Sequence, residues 1–308
     1  MKWNIYSYSK LWMIFFVLMG AACTNQVEDA IPVSGQPIEF SVQSDWKEIP
    51  NTRLNDKTQF TQGDSIRIFC FYNGEKKFMY DVADSRKGQL VTYDGKNWNY
   101  KPKRFWPKEG KLLFLASYPQ NSIRNDEVNQ PMIYDQTVNP LRRDLLWGVS
   151  DMNCPSAQDR KNNVGITMVH ALAKVTIRID NSWGEIGTVI VSAYKAGRFI
   201  KTNGDGIPDW EFNDDDKTPI DAVFKYKDLI KINSVTSVTV FILPDKITGL
   251  RMFGYDGIEK INASKEISEE IKKHAFLAGK VYDLKISKRA QKNTNSRSIA
   301  MSVRCVSE

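Results

Sequence analysis

The chain has 308 residues, 42% hydrophobic and 26% charged, with a formal net charge of +7, two histidines and four cysteines. The basic excess would suit a nucleic-acid binder. However, acidic runs such as Asn213-Asp214-Asp215-Asp216 interrupt it and no zinc-finger or basic-helix pattern occurs, so the charge reads as a solubility feature. Four cysteines exclude a disulfide-dense scaffold, and His170 and His274 have no cysteine or carboxylate at metal-ligand spacing, so each reads as structural.

Lys2 and Lys10 lie on the N-terminal side of an apolar run, Leu11 to Met19, that is short for a membrane span and is followed by Gly20-Ala21-Ala22-Cys23. A basic start, an apolar stretch and small residues before a cut make an export segment. Cysteine at the cut resembles a bacterial lipobox, in which residues 1–22 are removed and Cys23 carries lipid; an ordinary signal peptide or an N-terminal membrane helix would share part of the pattern. Removal leaves 286 residues, room for two domains, and loss of Lys2 and Lys10 lowers the side-chain charge from +7 to +5. Residues 23–35 form a polar tether that buries too little to fold alone.

Strand signals then dominate. Ile38-Glu39-Phe40-Ser41-Val42 alternates with period two, and a polar stretch containing Thr52-Arg53 follows. Further strands are expected over 65–72, 79–82, 90–93, 112–118, 144–149 and the long segment 165–179. In this last segment Val169, Ala171, Ala173, Val175, Ile177 and Ile179 share one apolar parity, which reads as one strand with a face on a core. A domain boundary is expected between Ile179 and Gly184, giving domains 36–181 and 182–308.

The second half repeats this texture: a strand-like tract over 184–200, a strand over 235–243 that Pro244 ends, another from Gly249, and clean alternation over 279–286. Residues 265–274 read as a helix or a loop, with Ser264 as N-cap. After the polar stretch 287–298, Ile299, Met301, Val303 and Cys305 alternate with Ala300, Ser302 and Arg304 in one more strand. Cys70 reads as a buried small hydrophobe, Cys154 as part of a polar loop and Cys305 as part of the terminal strand, with at most one disulfide among them once Cys23 is lipidated.

The sharpest local motif is Asn203-Gly204-Asp205-Gly206-Ile207-Pro208-Asp209. Oxygen side chains at Asn203, Asp205 and Asp209 around a glycine turn could converge on Ca²⁺, although Lys201 and Phe212 stand where an EF-hand wants acids, and a plain hairpin turn has the same signature. Asp214, Asp215 and Asp216 read as an extension of that site or a solvated turn. No nucleophile elbow, zinc-helix motif, phosphate loop or dinucleotide fingerprint is present. Trp46, Trp98, Trp106, Trp147 and Trp210 are candidates for sugar stacking or for core packing.

A series of phrases in order resembles the fimbrillin-like proteins of the Bacteroides group, the Mfa-like and major-fimbrial-subunit superfamily of surface lipoproteins. They are the lipobox at Cys23, Ile38-Glu39-Phe40, Gly63-Asp64-Ser65-Ile66-Arg67-Ile68-Phe69, Trp106-Pro107 and Leu113-Phe114-Leu115-Ala116-Ser117-Tyr118-Pro119. Asp144-Leu145-Leu146-Trp147-Gly148, 168–175, Phe241-Ile242-Leu243-Pro244 and 278–284 continue the order across nearly the whole exported chain.

The resemblance implies an all-β fold of two tandem transthyretin-like β-sandwich domains, lipid attachment to the outer membrane, and no catalysis. It also implies assembly with other fimbrial subunits by strand exchange. Proteolysis after an arginine, best matched by Arg53, would remove the strand around 38–42 and open a groove. The candidate donor strand is 299–306, whose rival role is the chain's own last strand. Stalk subunit and membrane anchor both fit. From another class, a glycan-binding surface lipoprotein serving carbohydrate capture is the alternative, with a host or bacterial surface glycan or protein as partner and no nucleic acid.

Overall fold

The computed structural model describes residues 31–44, 59–125, 132–137, 140–153, 163–199, 204, 206–232, 235–262, 274–289 and 298–305. Among them the chain is all-β, with two single-turn 3-10 segments and no α-helix.

The first part of the chain supplies β1 (Val33–Pro37), β2 (Phe40–Ser44), β3 (Ser65–Tyr72), β4 (Lys76–Met79), β5 (Gln89–Tyr93) and β6 (Trp98–Asn99). β7 (Phe105–Pro107), β8 (Lys111–Tyr118), β9 (Ile123–Asn125), β10 (Met132–Asp135), β11 (Leu146–Asn153) and β12 (Val164–His170) follow. Eight of them form one sheet, in the order β2-β12-β11-β8-β3-β5-β6 with β4 beside β3, while β1 pairs only with β7.

The sequence of β3 explains its central place. Ile66, Ile68 and Cys70 point into one core with Phe114 and Ile166, and Phe69 and Phe71 point into another on the opposite face. A strand buried on both faces reads as a continuous apolar run. Its one cation, Arg67, is 8% exposed and is satisfied by Asp81 at 2.5 Å and by the carbonyls of Gly88 at 3.0 Å and Gln120 at 3.1 Å. Asp81 follows the end of β4 at Met79, so the strand expected over 79–82 lies earlier, at Lys76–Met79.

The remaining strands are β13 (Ala173–Ile179), β14 (Ile186–Tyr194), β15 (Ala196–Phe199), β16 (Pro219–Lys225), β17 (Ile230–Ile232) and β18 (Val235–Ile242). After them come β19 (Ile247–Gly254), β20 (Glu259–Asn262), β21 (Val281–Arg289) and β22 (Ser298–Cys305). A five-stranded sheet, β17-β18-β13-β21-β22, faces a four-stranded one, β16-β14-β19-β20, across a core containing Val175, Ile177, Val189, Val191, Val240 and Leu250.

The segment 165–179 is two strands, not one. Val164, Ile166 and Met168 are buried in the first core, whereas Ala173, Val175, Ile177 and Ile179 are buried in the second. The inward parity flips at Ala171-Leu172, where the chain leaves the eight-stranded sheet and β13 pairs with β18 and β21. Since side chains alternate with period two, one extra residue moves the apolar set to the other face. The tract 184–200 is likewise divided at Lys195 into β14 and β15.

A three-stranded sheet, β15-β10-β9, joins the two halves: Met132 stands opposite Phe199 and Asp135 opposite Ala196. Beneath it lies a third core, where Trp147 meets Phe199 edge-on at 4.8 Å and the Trp210 indole N–H donates to the Ala171 carbonyl at 2.9 Å. The segment that reads as helix or loop, 265–273, lies outside the described residues; His274, at its end, is exposed.

Candidate functional site

The first strand in the main sheet is built to be an edge. β2 runs parallel to β12, from Phe40 opposite Val164 to Ser44 opposite Met168, and ends the sheet order. Its alternation is strict: Phe40 and Val42 are buried, and Ser41 and Gln43 are exposed. Phe40 packs against Phe114 and Tyr100, each at 5.7 Å between ring centres. Just before the strand, Ile38 is fully buried and its N–H donates to the Arg104 carbonyl at 2.9 Å.

Tyr100 holds this corner. Its hydroxyl donates to the Ile38 carbonyl at 2.8 Å, and burial pushes its phenol up to about 12 against a weaker opposing contribution from the Arg104 backbone. Sequence reasoning passed over Tyr100; its signal is that Trp98 and Tyr100, two apart, both turn inward.

At the other end of the chain β22 lies on β21, antiparallel, from Tyr282 opposite Cys305 to Arg289 opposite Ser298. The backbone of Ile299, Met301, Val303 and Cys305 is thus paired within its own chain, at the edge of the five-stranded sheet. Cys23, Arg53, Cys154, Trp46 and Val306 lie outside the described residues.

Asn203 and Asp205 also lie outside the described residues, and Asp209 is exposed. Asp216 is 5% exposed, receives the Arg198 guanidinium at 2.9 Å and accepts the Asn213 N–H at 3.1 Å, so it closes a turn. Among the described residues no group of three metal-ligating side chains occurs. His170 pairs through Nδ1 with Asp144, and Cys70 is 1% exposed in the first core.

Among the described residues the tryptophans do not make a sugar-stacking surface. Trp98, Trp106 and Trp147 are 7%, 4% and 0% exposed, because large rings fill the space between sheet faces, and Trp210 is half-buried beside Phe199. Among the described residues the exposed aromatics are instead Phe105, Tyr226 and Tyr255, and the two tyrosines are in ring contact.

The described architecture is all-β, with β2 at the edge of the main sheet. The family model for fimbrillin-like proteins matches residues 52–301, and the chain belongs to that family. It is accordingly a fimbrial or adhesion protein of the cell surface, structural and non-catalytic. No curated protein matches the chain in sequence.

Among solved structures, a candidate cell adhesion protein of Bacteroides uniformis is similar at 16% identity and a TM-score of 0.50, covering 87% of this chain and 97% of its own. One of the same description from Bacteroides ovatus has 10% identity, a TM-score of 0.47 and coverage of 90% and 99%. The fimbrial anchor protein Mfa2 of Porphyromonas gingivalis has 10% identity, a TM-score of 0.47 and coverage of 87% and 96%.

Proposed function

We propose that this chain is a fimbrial structural subunit, or the anchor of a fimbria, held on the outer membrane through lipid on Cys23 and joined to other subunits by β-strand exchange. One observation carries the reading. β2 is an edge strand on the N-terminal side of Arg53 and contributes alternate side chains to the core.

Cleavage after Arg53 removes Ile38, Phe40 and Val42 together. Each such side chain is worth about 1.5–3 kcal/mol of burial, and the exposed β12 edge loses its backbone partners as well. A gap of this kind favours an incoming strand that restores the ladder and fills the pockets with alternate side chains. Residues 299–306 are the candidate donor, since they follow a polar stretch and alternate; their pairing with β21 supports the rival role as the chain's own last strand.

Two tandem transthyretin-like β-sandwich domains are supported by the first and second cores lying on different sheets. The sheet membership of β13 supports a junction at Ala171-Leu172, ahead of the boundary at 181 read from the sequence. A surface glycan or protein is the adhesive partner, and the exposed tyrosines favour a glycan. The test of assembly is Arg53→Ala expressed in the native bacterium: loss of high-mass filaments with retained membrane-bound monomer is expected, and filaments formed as by wild type would overturn strand exchange after cleavage.

A further inference from the structure

We propose that Tyr226 and Tyr255 form a carbohydrate-stacking platform for a neutral hexopyranose. The site lies at the end of the second pair of sheets remote from β15. It rests on the reading of this chain as an adhesive surface protein and is independent of strand exchange.

Both tyrosines stand where strands on either side of β14 end, at the same end of β14. β16 finishes with Lys225 opposite Thr188, one residue before Tyr226, and β19 finishes with Gly254 opposite Ile186, one residue before Tyr255. The rings meet edge-to-face, 5.4 Å between centres and 81° between planes, and the Lys231 ammonium sits 4.5 Å from the Tyr226 ring centre. Tyr226 is nevertheless 51% exposed and Tyr255 69%, with Ile258 beside them at 62%.

The platform is stiff. The Gly254 N–H donates to the Ile258 carbonyl at 2.8 Å and the Gly257 N–H to the Gly254 carbonyl at 3.1 Å. The Ile258 N–H donates to the Asp256 carboxylate at 3.0 Å, and the Tyr255 N–H to the Glu185 carbonyl at 3.3 Å. Gly187 lets this turn approach: a Cβ there would meet the Tyr255 Cα at 3.0 Å. A turn fixed in advance loses little backbone freedom when a ligand meets the side chain it carries.

Size and polarity choose the occupant. A Tyr buries about 150–250 Å² when fully covered, so the exposed parts of the two residues offer roughly 250 Å² of amphipathic surface. A sugar ring matches that size. Its C–H face stacks on a phenol ring while its hydroxyls meet the tyrosine hydroxyls, the Lys231 ammonium and the exposed Glu185.

The test is saturation-transfer NMR on the exported chain, with the methyl α-pyranosides of glucose, galactose and mannose as probes. Transfer to ring C–H protons of at least one sugar is expected. Tyr255→Ala should weaken binding about tenfold and Tyr255→Phe, which keeps the stacking face, less than about threefold. Unchanged thermal midpoints would show both variants folded. Absence of transfer to all three sugars, or transfer undiminished in Tyr255→Ala, overturns the proposal. So does a Tyr255→Ala variant that loses self-association in sedimentation while no sugar signal exists, which would make the surface a protein contact. Filament formation by wild type alongside a negative sugar result would leave strand exchange standing while this site falls.

Discussion

The Tyr100 hydroxyl donates a hydrogen bond to the Ile38 carbonyl at 2.8 Å, tying the residue that leads into β2 to a position sixty-two residues further along the chain. The same hydroxyl lies 3.4 Å from both the N–H and the carbonyl of Arg104, whose carbonyl also receives the Ile38 N–H. One phenol thus fastens the strand that strand exchange requires to leave.

Tyr100→Phe keeps the ring and removes the fastening. Loss of a buried hydrogen bond that leaves a carbonyl unsatisfied costs about 1–3 kcal/mol. Faster amide exchange over residues 38–44, with the rest of the sheet unchanged, is the expected result.

The same residue predicts an alkaline transition. Burial raises the Tyr100 phenol from 10.0 to about 12, so the folded state prefers the protonated form. Its contribution is fully present below pH 10 and is lost as pH rises towards 12. Wild type should lose protection of residues 38–44 across that range, and Tyr100→Phe should lack this component.

Phe40→Ala removes the largest side chain of β2 from its contacts with Phe114 and Tyr100. Such a truncation costs roughly 3–5 kcal/mol when the strand stays in place. Because β2 is an edge, local release limits the loss: denaturant unfolding should show a weakened first sheet with the core around Val191 intact, measured by hydrogen exchange of the two regions.

Asp81→Asn leaves Arg67 buried without its carboxylate but with the Gly88 and Gln120 carbonyls, a change of roughly 1–3 kcal/mol. Hydrogen bonding by the Ala83 N–H and then by Arg67 holds the Asp81 carboxyl below its ordinary value. The stability it contributes is therefore present above about pH 4 and declines as pH falls through the lowered value. Wild type should show this acid-dependent loss in thermal midpoint, and Asp81→Asn should show a lower midpoint with less dependence on pH.

Deletion of 299–306 separates donor from resident strand. A donor role predicts reduced polymer with a monomer that melts normally. Unfolding of the monomer would make β22 integral to the five-stranded sheet.

Much of the fold is written in local pattern. β12 alternates, with Val164, Ile166 and Met168 buried and Gly165 and Thr167 exposed, because one face meets the core, and β3 reads as solid apolar sequence because both faces do. The flip at Ala171-Leu172 was not legible, since continuous apolar residues hide which parity points inward when a strand changes sheets. The tryptophans stood open between two readings for a similar reason: a ring suited to sugar stacking is equally suited to filling space between sheets, and only packing decides. Tyr226 and Tyr255, 29 residues apart, come together only because β16 and β19 flank β14 on opposite sides.

The most direct test of strand exchange is intact mass and N-terminal peptide mapping of the protein recovered from sheared filaments and from membranes of its native bacterium. A filament species beginning at Leu54, just after Arg53, is the predicted result. A lipidated species beginning at Cys23 and retaining residues 38–44 within the filaments would contradict it.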